Sequence, residues 1–156
     1  MKKKKIVFQI LLSPVLCCLI LFASSCGASK ESLSISDQEK KAFEQVEGDT
    51  ISIASEKTEY EIIIIEPGFM TWLNSIARPE GYYSQNFLEN RNYIMVVEWN
   101  QRVLQPLYYN PDLYLMQIDY FQGIDYGYEV NYKLYNYFIY FQRKYNQRLG
   151  PFLPRI

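Results

Sequence analysis

The chemistry of one residue, Cys26, is defined by its neighbours. Lysines at positions 2–5 precede an apolar run from Ile6 to Phe22, and three small residues at 23–25 lie directly before the cysteine. A positive n-region, an apolar h-region and a small-residue cleavage site are the three parts of a secretory signal. In lipoprotein precursors, a cysteine just after the cut receives a diacylglyceryl group on its thiol. We therefore expect a lipoprotein signal peptide at 1–25, which is removed, and lipidation at Cys26.

The same apolar run also permits a plain transmembrane anchor. A bilayer-spanning helix needs ~20 apolar residues, and Gln9 and Pro14 interrupt this run. The small residues before Cys26 favour lipidation, because the two earlier cysteines do not follow small residues that a cleavage pocket takes. Under either interpretation the lysines stay inside and the rest of the chain lies outside the cytoplasm. The membrane is therefore an expected partner, reached through the lipid anchor at Cys26.

The chain after Cys26 lacks the side chains on which most enzyme and metal sites depend. It contains no histidine, and all three cysteines lie at or before position 26. Imidazole is the usual general base and a usual zinc ligand, so its absence excludes His-based triads, Cys–His pairs and most zinc sites. No disulfide can form in the mature chain either. We therefore expect no catalytic residues, no metal and no cofactor.

Carboxylates are the remaining candidates for catalysis. Glycoside hydrolases use two carboxyl groups that flank the scissile sugar bond. Such a pair could come from five acidic residues: Glu66, Glu98, Asp119, Asp125 and Glu129. Glu98 and Arg102 have the i, i+4 spacing of a helix ion pair, and the acidic residues at 119 and 125 do not match a calcium-binding EF-hand loop. A carboxylate-based glycan hydrolase stays open as the alternative to a non-catalytic domain.

Tyrosines are the main candidates for a binding surface. The chain has 15 of them, and the densest group lies in a predicted final helix at about 128–146. One apolar stripe of this helix runs through Val130, Leu134, Phe138, Phe141 and Tyr145, and a nearly opposite stripe through Tyr128, Tyr132, Tyr135 and Ile139. A helix that is apolar on two faces is either packed between layers or commits one face to a partner. The packed helix is favoured, and the alternative is an interaction face formed by Tyr128, Tyr132 and Tyr135.

Composition and charge indicate a single small domain. Without residues 1–25 the chain has 131 residues and a net charge of −5, with the acidic excess concentrated between positions 30 and 66. This length suits one domain with its own core. No basic stripe is present, so nucleic acid is not an expected partner. The predicted organisation is an acidic flexible tether at 26–48, a globular domain at 49–148 and a C-terminal tail at 149–156.

Hydrophobic patterns predict the elements that must position these side chains. Segments with strand patterns lie at about 51–54, 60–66 and 114–120, and segments with helical patterns at about 69–76, 84–104 and 128–146. Four consecutive isoleucines at 62–65 indicate a strand covered on both faces, and hence a central one. The fold class expected from these segments is α+β: a small, mainly antiparallel sheet of about three strands packed with three helices, the C-terminal aromatic helix being central.

The second predicted helix has an irregular pattern. Arg91, Glu98 and Arg102 project on the same side as apolar residues. Three explanations remain open: a helix break near Asn92, a strand within 92–98, or a partly buried network of paired charges. The helix is the favoured interpretation.

Four segments of the chain together resemble a known family. They are Glu61–Phe69, Arg78–Ser84, Glu98–Val103 and Asp125–Phe138. They look like an uncharacterised family of Bacteroidota envelope lipoproteins, a domain of unknown function, family 6146, and the resemblance extends over about 50–148. It implies a cell-envelope lipoprotein on the outer membrane of a diderm bacterium and brings no activity, substrate or catalytic residue.

The expected function is therefore a non-catalytic binding or structural domain tethered to the outer membrane. Its partner would be another envelope protein or a glycan. Because only Glu31 follows Cys26 closely among acidic residues, the choice between the periplasmic and the exterior face stays open.

Replacing the anchor cysteine tests the signal. Cys26→Ser should abolish incorporation of a palmitate analogue into the expressed precursor, because serine has no thiol to acylate. The lipoprotein product carries more than one acyl chain, so wild-type attachment should be stable, whereas the variant should move to the soluble fraction if it is released. Equal labelling of the two proteins would show that the segment is an anchor or an ordinary signal instead.

Overall fold

Four helices and one β-hairpin make up the described part of the chain. A computed structural model describes residues 33–45, 50–55 and 60–156, with side chains for 33–45 and 66–156. The compact unit runs from Ser34 to Ile156. The predicted signal peptide, the lipidation site Cys26 and the parts of the predicted tether at 26–32 and 46–48 lie outside the described residues. No helix in the described ranges is both long and apolar enough to cross a membrane.

The elements follow one another in a simple order. They are α1 (Asp37–Phe43), β1 (Thr50–Ser55), β2 (Tyr60–Ile65), α2 (Phe69–Ser75), α3 (Gln85–Val103) and α4 (Tyr128–Lys144). The two strands pair in antiparallel register, with Thr50 opposite Ile65 and Ser55 opposite Tyr60. β1 lies beside α4, and α4 also contacts α2 and α3. The predicted helices at 69–76, 84–104 and 128–146 are thus confirmed, with small shifts at their ends.

The α+β fold class is wrong. Where side chains are described, the structure is all-helical, and the core consists of helix and loop residues. Within the described ranges β2 pairs with β1 alone, so the isoleucine run does not form a central strand of a three-stranded sheet. The physical reason is that helix and loop side chains fill the described core, and the backbone of the third predicted strand is paired by side chains of a helix instead of by a neighbouring strand.

The third predicted strand, at 114–120, is an irregular loop held by side chains of α3. The Asn100 amide donates to the Ile118 carbonyl at 2.9 Å and accepts from the Ile118 N–H at 2.8 Å. Trp99 Nε1 donates to the Met116 carbonyl at 2.9 Å. These bonds satisfy backbone groups that a neighbouring strand would otherwise pair. On the expected inward face, Tyr114 and Tyr120 are buried in the core, but Met116 is 71% exposed. The alternation of apolar residues therefore does not mark one buried face of a strand.

The irregular pattern of α3 has a clear structural cause. The helix is continuous and is capped by the Ser84 hydroxyl, which accepts from the Phe87 N–H at 3.3 Å. Arg102 is buried and donates to Glu98 Oε1 at 2.7 Å and to the Tyr114 hydroxyl at 2.7 Å. It also donates to the carbonyl of Arg148, beyond the end of α4. Of the three explanations left open, an unbroken helix with paired charges is observed for Glu98 and Arg102, whereas Arg91 lies over aromatic rings.

Aromatic rings of α4 fill the core on several sides. Phe141 packs against Trp99 of α3 with ring centroids 4.8 Å apart, and Tyr140 packs against Trp72 of α2 at 5.6 Å. Phe69 contacts Tyr140 at 5.6 Å. Tilted and edge-to-face ring pairs of this kind stabilise beyond the area that they bury. α4 is therefore the element against which α2 and α3 are assembled.

A buried ion pair fixes α1 on this core, although α1 lies within the range predicted as a tether. Glu39 and Arg143 are both buried, and Arg143 donates from Nε to Glu39 Oε1 at 2.6 Å and from Nη2 to Oε2 at 2.8 Å. Trp72 Nε1 donates to the same carboxylate at 3.2 Å, and the Ser36 N–H at 3.1 Å. Arg143 also donates to the carbonyls of Ser34 and Pro154. Within the tether range, residues 34–45 are therefore part of the folded unit.

The start of α2 approaches α1 so closely that only glycine fits at position 68. Gly68 has φ +82°, a conformation that side-chain-bearing residues rarely adopt. A Cβ atom there would overlap the carbonyl oxygen of Ala42 in α1. Tyr140 of α4 donates to the adjacent Pro67 carbonyl at 2.6 Å. The contact between α1, α2 and α4 thus depends on the missing side chain.

Breaking the buried ion pair should destabilise the domain strongly. Arg143→Met leaves the Glu39 carboxylate buried without its cation, and such losses cost about 3–5 kcal/mol of unfolding free energy. Lys133→Met, on the same helix, removes a cation whose partner Glu129 is exposed, so its cost should stay below about 1 kcal/mol. Urea unfolding followed by circular dichroism measures both values. Equal effects of the two substitutions would contradict the role of the pair.

The same pair predicts a pH dependence of stability. Burial alone would raise the pKa of Glu39, but hydrogen bonds from Arg143, the Ser36 N–H and Trp72 outweigh burial and lower it. A lowered folded-state pKa gives stability that is present above the unfolded-state pKa of ~4.3 and is lost as pH falls through the folded-state pKa. Glu39→Gln should reduce this acid-induced loss, which thermal unfolding between pH 3 and pH 7 would measure.

Candidate functional site

The three tyrosines considered as an interaction face lie mostly inside the domain. Tyr132 is 5% exposed and Tyr135 is 7% exposed, and Tyr128 is partly buried. Tyr132 donates to the carbonyl of Arg78 at 2.8 Å, and Tyr128 accepts from the Gly81 N–H at 2.6 Å. Burial raises the pKa of Tyr132 and of Tyr135, so both hydroxyls stay neutral. The stripe therefore holds the loop between α2 and α3 against α4.

Four of the five candidate carboxylates are not paired with one another. Glu66 accepts from Lys144 at 2.7 Å and from Tyr145 at 2.8 Å. Glu98 is paired with Arg102, and Glu129 with Lys133 at 2.5 Å. Asp119 is exposed on the loop before α4. Each of the three glutamates thus forms an ion pair with a lysine or arginine side chain.

The fifth carboxylate, Asp125, meets an acidic residue that the sequence analysis missed. Gln85 Nε2 donates to Asp125 Oδ1 at 2.8 Å and to Glu89 Oε1 at 2.8 Å. Since both oxygens lie 2.8 Å from the same nitrogen, the distance between the two oxygens is at most twice that value. Asp125 also accepts from the Gly127 N–H at 3.0 Å, which fixes it at the start of α4. The available signal for Glu89 was its i, i+4 spacing from Gln85, which is too common in helices to single out a site.

These two carboxylates lie in a groove between α3 and the loop before α4, which we call the α3 groove. Its volume is about 220 Å³. It is lined by Asn86, Glu89, Asn90, Tyr93, Tyr120, Phe121, Gln122, Gly123, Ile124 and Asp125. Phe121 is 60% exposed, and Tyr93 and Ile124 are also exposed. The groove thus combines amide and carboxylate side chains with aromatic rings that are open to solvent.

Buried polar side chains hold the loop that forms one wall of the groove. The Tyr120 hydroxyl donates to Asn131 Oδ1 at 2.6 Å, and its ring stacks on Tyr126 with centroids 4.7 Å apart. The Tyr126 hydroxyl accepts from the Phe121 N–H at 3.0 Å. Asn92 of α3 donates to the Asn131 carbonyl at 2.9 Å. The wall is therefore anchored to α3 and α4, and its exposed side chains are carried on a fixed backbone.

The chemistry that this arrangement can perform is recognition of a polar ligand. Asn90 Nδ2 is already used within α3, on the Asn86 carbonyl at 2.7 Å and on Asn86 Oδ1 at 2.9 Å, which orients both amides. The carboxylates of Glu89 and Asp125 line the groove, and both accept from the Gln85 amide. No group of three or more metal-binding side chains occurs in the described residues.

Comparison with known proteins identifies a family. A family model described as a family of unknown function, DUF6146, matches residues 15–152. No curated protein and no solved structure matches the chain. The family match extends through the α3 groove and assigns no activity, ligand or partner to it.

The buried position of the tyrosine stripe can be tested with one substitution. Tyr135→Ser removes a buried ring that packs on Tyr83 at 5.3 Å and on Phe87 at 5.9 Å. We expect a loss of about 3–5 kcal/mol in unfolding free energy, as for other large-to-small core changes. Tyr108→Ser, at a tyrosine that is 83% exposed, should change stability by less than about 0.5 kcal/mol. Equal unfolding midpoints in urea would place Tyr135 at the surface instead.

Proposed function

Because the chain belongs to DUF6146, a family whose function is not established, we propose a function from its own residues. In this proposal the protein is a non-catalytic domain of the cell envelope that binds a glycan in the α3 groove. The domain is held to the outer membrane by lipid on Cys26. The anchor part of this proposal rests on the lysines, the apolar run and the small residues before Cys26.

The observation that carries the binding part is the combination of groups in the α3 groove. Sugar hydroxyls need both donors and acceptors, and the amides of Asn86, Asn90 and Gln122 supply both kinds. The carboxylates of Glu89 and Asp125 add charge-assisted acceptors. The C–H faces of a sugar ring pack against aromatic rings such as those of Tyr93 and Phe121.

Size and position also favour a glycan over a protein partner. The volume of about 220 Å³ is below the ~300 Å³ at which pockets for drug-sized ligands begin. A groove of this size suits the end of a sugar chain rather than a folded protein, whose stable interfaces bury over ~1,000 Å². The fixed backbone of the wall lowers the entropy lost on binding, which supports useful affinity from a small contact area.

One observation favours a second candidate, the glycan hydrolase. The carboxylate oxygens of Glu89 and Asp125 are no more than twice 2.8 Å apart, which is compatible with the ~5 Å separation in retaining glycosidases. Against it, both carboxylates accept from the same Gln85 amide. A glycosidase needs one of its carboxyl groups to carry the proton that it gives to the leaving group. The Gln85 amide nitrogen lies within 2.8 Å of both oxygens and therefore occupies the space between them that a scissile glycosidic oxygen would need, and this supports binding over hydrolysis.

A binding assay with groove variants tests the proposal. Oligosaccharides released from bacterial envelopes would first be passed over the full-length protein in a nonionic detergent. Those that the protein retains would then be titrated against it by isothermal calorimetry. Tyr93→Ala and Phe121→Ala should each weaken binding about tenfold, the equivalent of ~1.4 kcal/mol. Tyr108→Ala removes an exposed tyrosine outside the groove and should leave affinity unchanged. Equal affinity of the wild-type, groove and control proteins would refute glycan binding in the groove.

Hydrolysis is measured on the same samples. The glycans would be incubated with wild type, Glu89→Gln and Asp125→Asn, and new reducing ends would be counted. The proposal expects no new reducing ends with any protein, together with weaker binding by both variants, since each loses a charged acceptor. New reducing ends with wild type that both substitutions abolish would establish the hydrolase in its place.

A further inference from the structure

A second groove lies on a different face of α3 from the α3 groove, and we call it the Arg91 groove. Its volume is about 190 Å³, and it lies between α3, α4 and the C-terminal segment. Phe87, Met95, Ile139 and Leu153 supply much of its apolar lining. The charged residues that line it are Arg91 and Arg155, and no carboxylate is among the lining residues. The groove is thus mainly apolar, and the Arg91 guanidinium is one of its few polar groups.

The guanidinium of Arg91 lies over two aromatic rings. Its Cζ lies 3.2 Å from the ring centroid of Phe152 and 5.0 Å from that of Phe87. Cation–π contacts of this kind stabilise the positive charge through the negative face of the aromatic ring. They also restrict the rotamers of a side chain that is normally among the most mobile. The position of this positive charge is therefore well defined.

The hydrogen-bonding capacity of Arg91 is unused at one atom. A guanidinium has five N–H donors in its plane, and each needs an acceptor such as a carbonyl or carboxylate oxygen. Nη1 of Arg91 is buried, and within the described residues it has no hydrogen-bond partner. A buried donor without an acceptor costs free energy and is rare in folded proteins. An acceptor arriving in the guanidinium plane would remove this cost.

We propose that the Arg91 groove binds a small carboxylate that carries an apolar group. A carboxylate matches the in-plane donors of arginine with two parallel hydrogen bonds. Phosphate can form the same pair, but the apolar lining favours an organic acid. The aliphatic and aromatic side chains would pack on the apolar part of the ligand. A volume of about 190 Å³ limits the ligand to one ring or a short alkyl chain. This site goes beyond the proposed glycan groove and does not depend on it.

A matched pair of small molecules tests the charge requirement without any mutation. The full chain in a nonionic detergent would be titrated with 4-fluorophenylacetate and, separately, with its neutral amide, 4-fluorophenylacetamide. Both are observed by fluorine NMR against a detergent-only sample. We expect saturable binding of the acid and at least about tenfold weaker binding of the amide, because the amide lacks the charge that strengthens hydrogen bonds to arginine. Equal binding of acid and amide, or no saturable binding of the acid, would overturn the proposal.

Substitutions then locate the site. Arg91→Met keeps the length of the side chain but removes the donors, and should weaken binding of the acid at least about tenfold. Arg91→Lys keeps the charge without the planar fork, and its affinity should lie between those of Arg91→Met and wild type. Lys41→Met, at an exposed cation on α1, is the charge-matched control and should bind as wild type does. Wild-type affinity in Arg91→Met would refute the assignment to this groove.

Two further measurements separate the alternatives. Thermal unfolding of every variant shows whether it is folded, and if Arg91→Met is not, the acid–amide comparison and the Arg91→Lys titration decide. Inorganic phosphate is added as a competitor. The proposal expects phosphate to displace the acid poorly, since phosphate gains nothing from the apolar walls. Displacement by phosphate at equal concentration would show a general anion site and overturn the apolar part of the proposal.

Discussion

The ion pair between Glu39 and Arg143 is the interaction on which the arrangement of the domain depends. Two charges buried this completely are tolerated only when nearly all of their donors and lone pairs find partners. Here the partners come from the segment before α1, from Trp72 in α2 and from the Pro154 carbonyl near the C-terminus. The pair can therefore form only when α1, α2 and the C-terminal segment are all docked on α4. It couples parts of the chain that are 104 positions apart in sequence.

Side chains perform the backbone pairing that a larger sheet would otherwise provide. Tyr132 and Tyr140 donate to carbonyls of the segments on either side of α2, and Asn100 pairs with both backbone groups of Ile118. A tyrosine suits this role because it fills core volume with its ring and satisfies a loop with its hydroxyl. The consequence is that the long connections around α3 are fixed to the helices. Both grooves therefore have walls with defined positions, which lowers the entropic cost of binding a ligand.

α3 serves two grooves of different character, and this explains why its sequence lacks a simple apolar stripe. One face carries amides and Glu89 into the α3 groove, and another carries Arg91 and Phe87 into the Arg91 groove. Near its C-terminal end, Arg102 is buried in its own network with Glu98 and Tyr114. Polar residues are thus required on several faces of the helix. The two grooves differ in charge, with carboxylates in one and arginines in the other, so they suit ligands of different chemistry.

The sequence by itself determined the local features of this protein. Periodicity located the three helices at 69–76, 84–104 and 128–146, because the side-chain pattern of a helix is set by residues that are neighbours along the chain. The sequence also allows a helical turn at about 37–46 within the tether range, where α1 lies, and the capping-box spacing of Ser36 and Glu39 marks its start. Asp125 was among the candidate carboxylates, but nothing in its own neighbourhood pointed to Glu89.

Only the tertiary structure decided how these elements meet. Alternating tyrosines predicted a strand at 114–120, yet the partners of that backbone are Trp99 and Asn100 of a helix, and periodicity does not reveal which groups will pair with a segment. Distant residues also decide three other features. They are the burial of Tyr132 and Tyr135, the pairing of Arg143 with Glu39, and the lack of a hydrogen-bond partner at Nη1 of Arg91 within the described residues. Each is a contact between segments that the sequence separates and only the packed core brings together, and for that reason the fold class and both grooves came from the structure alone.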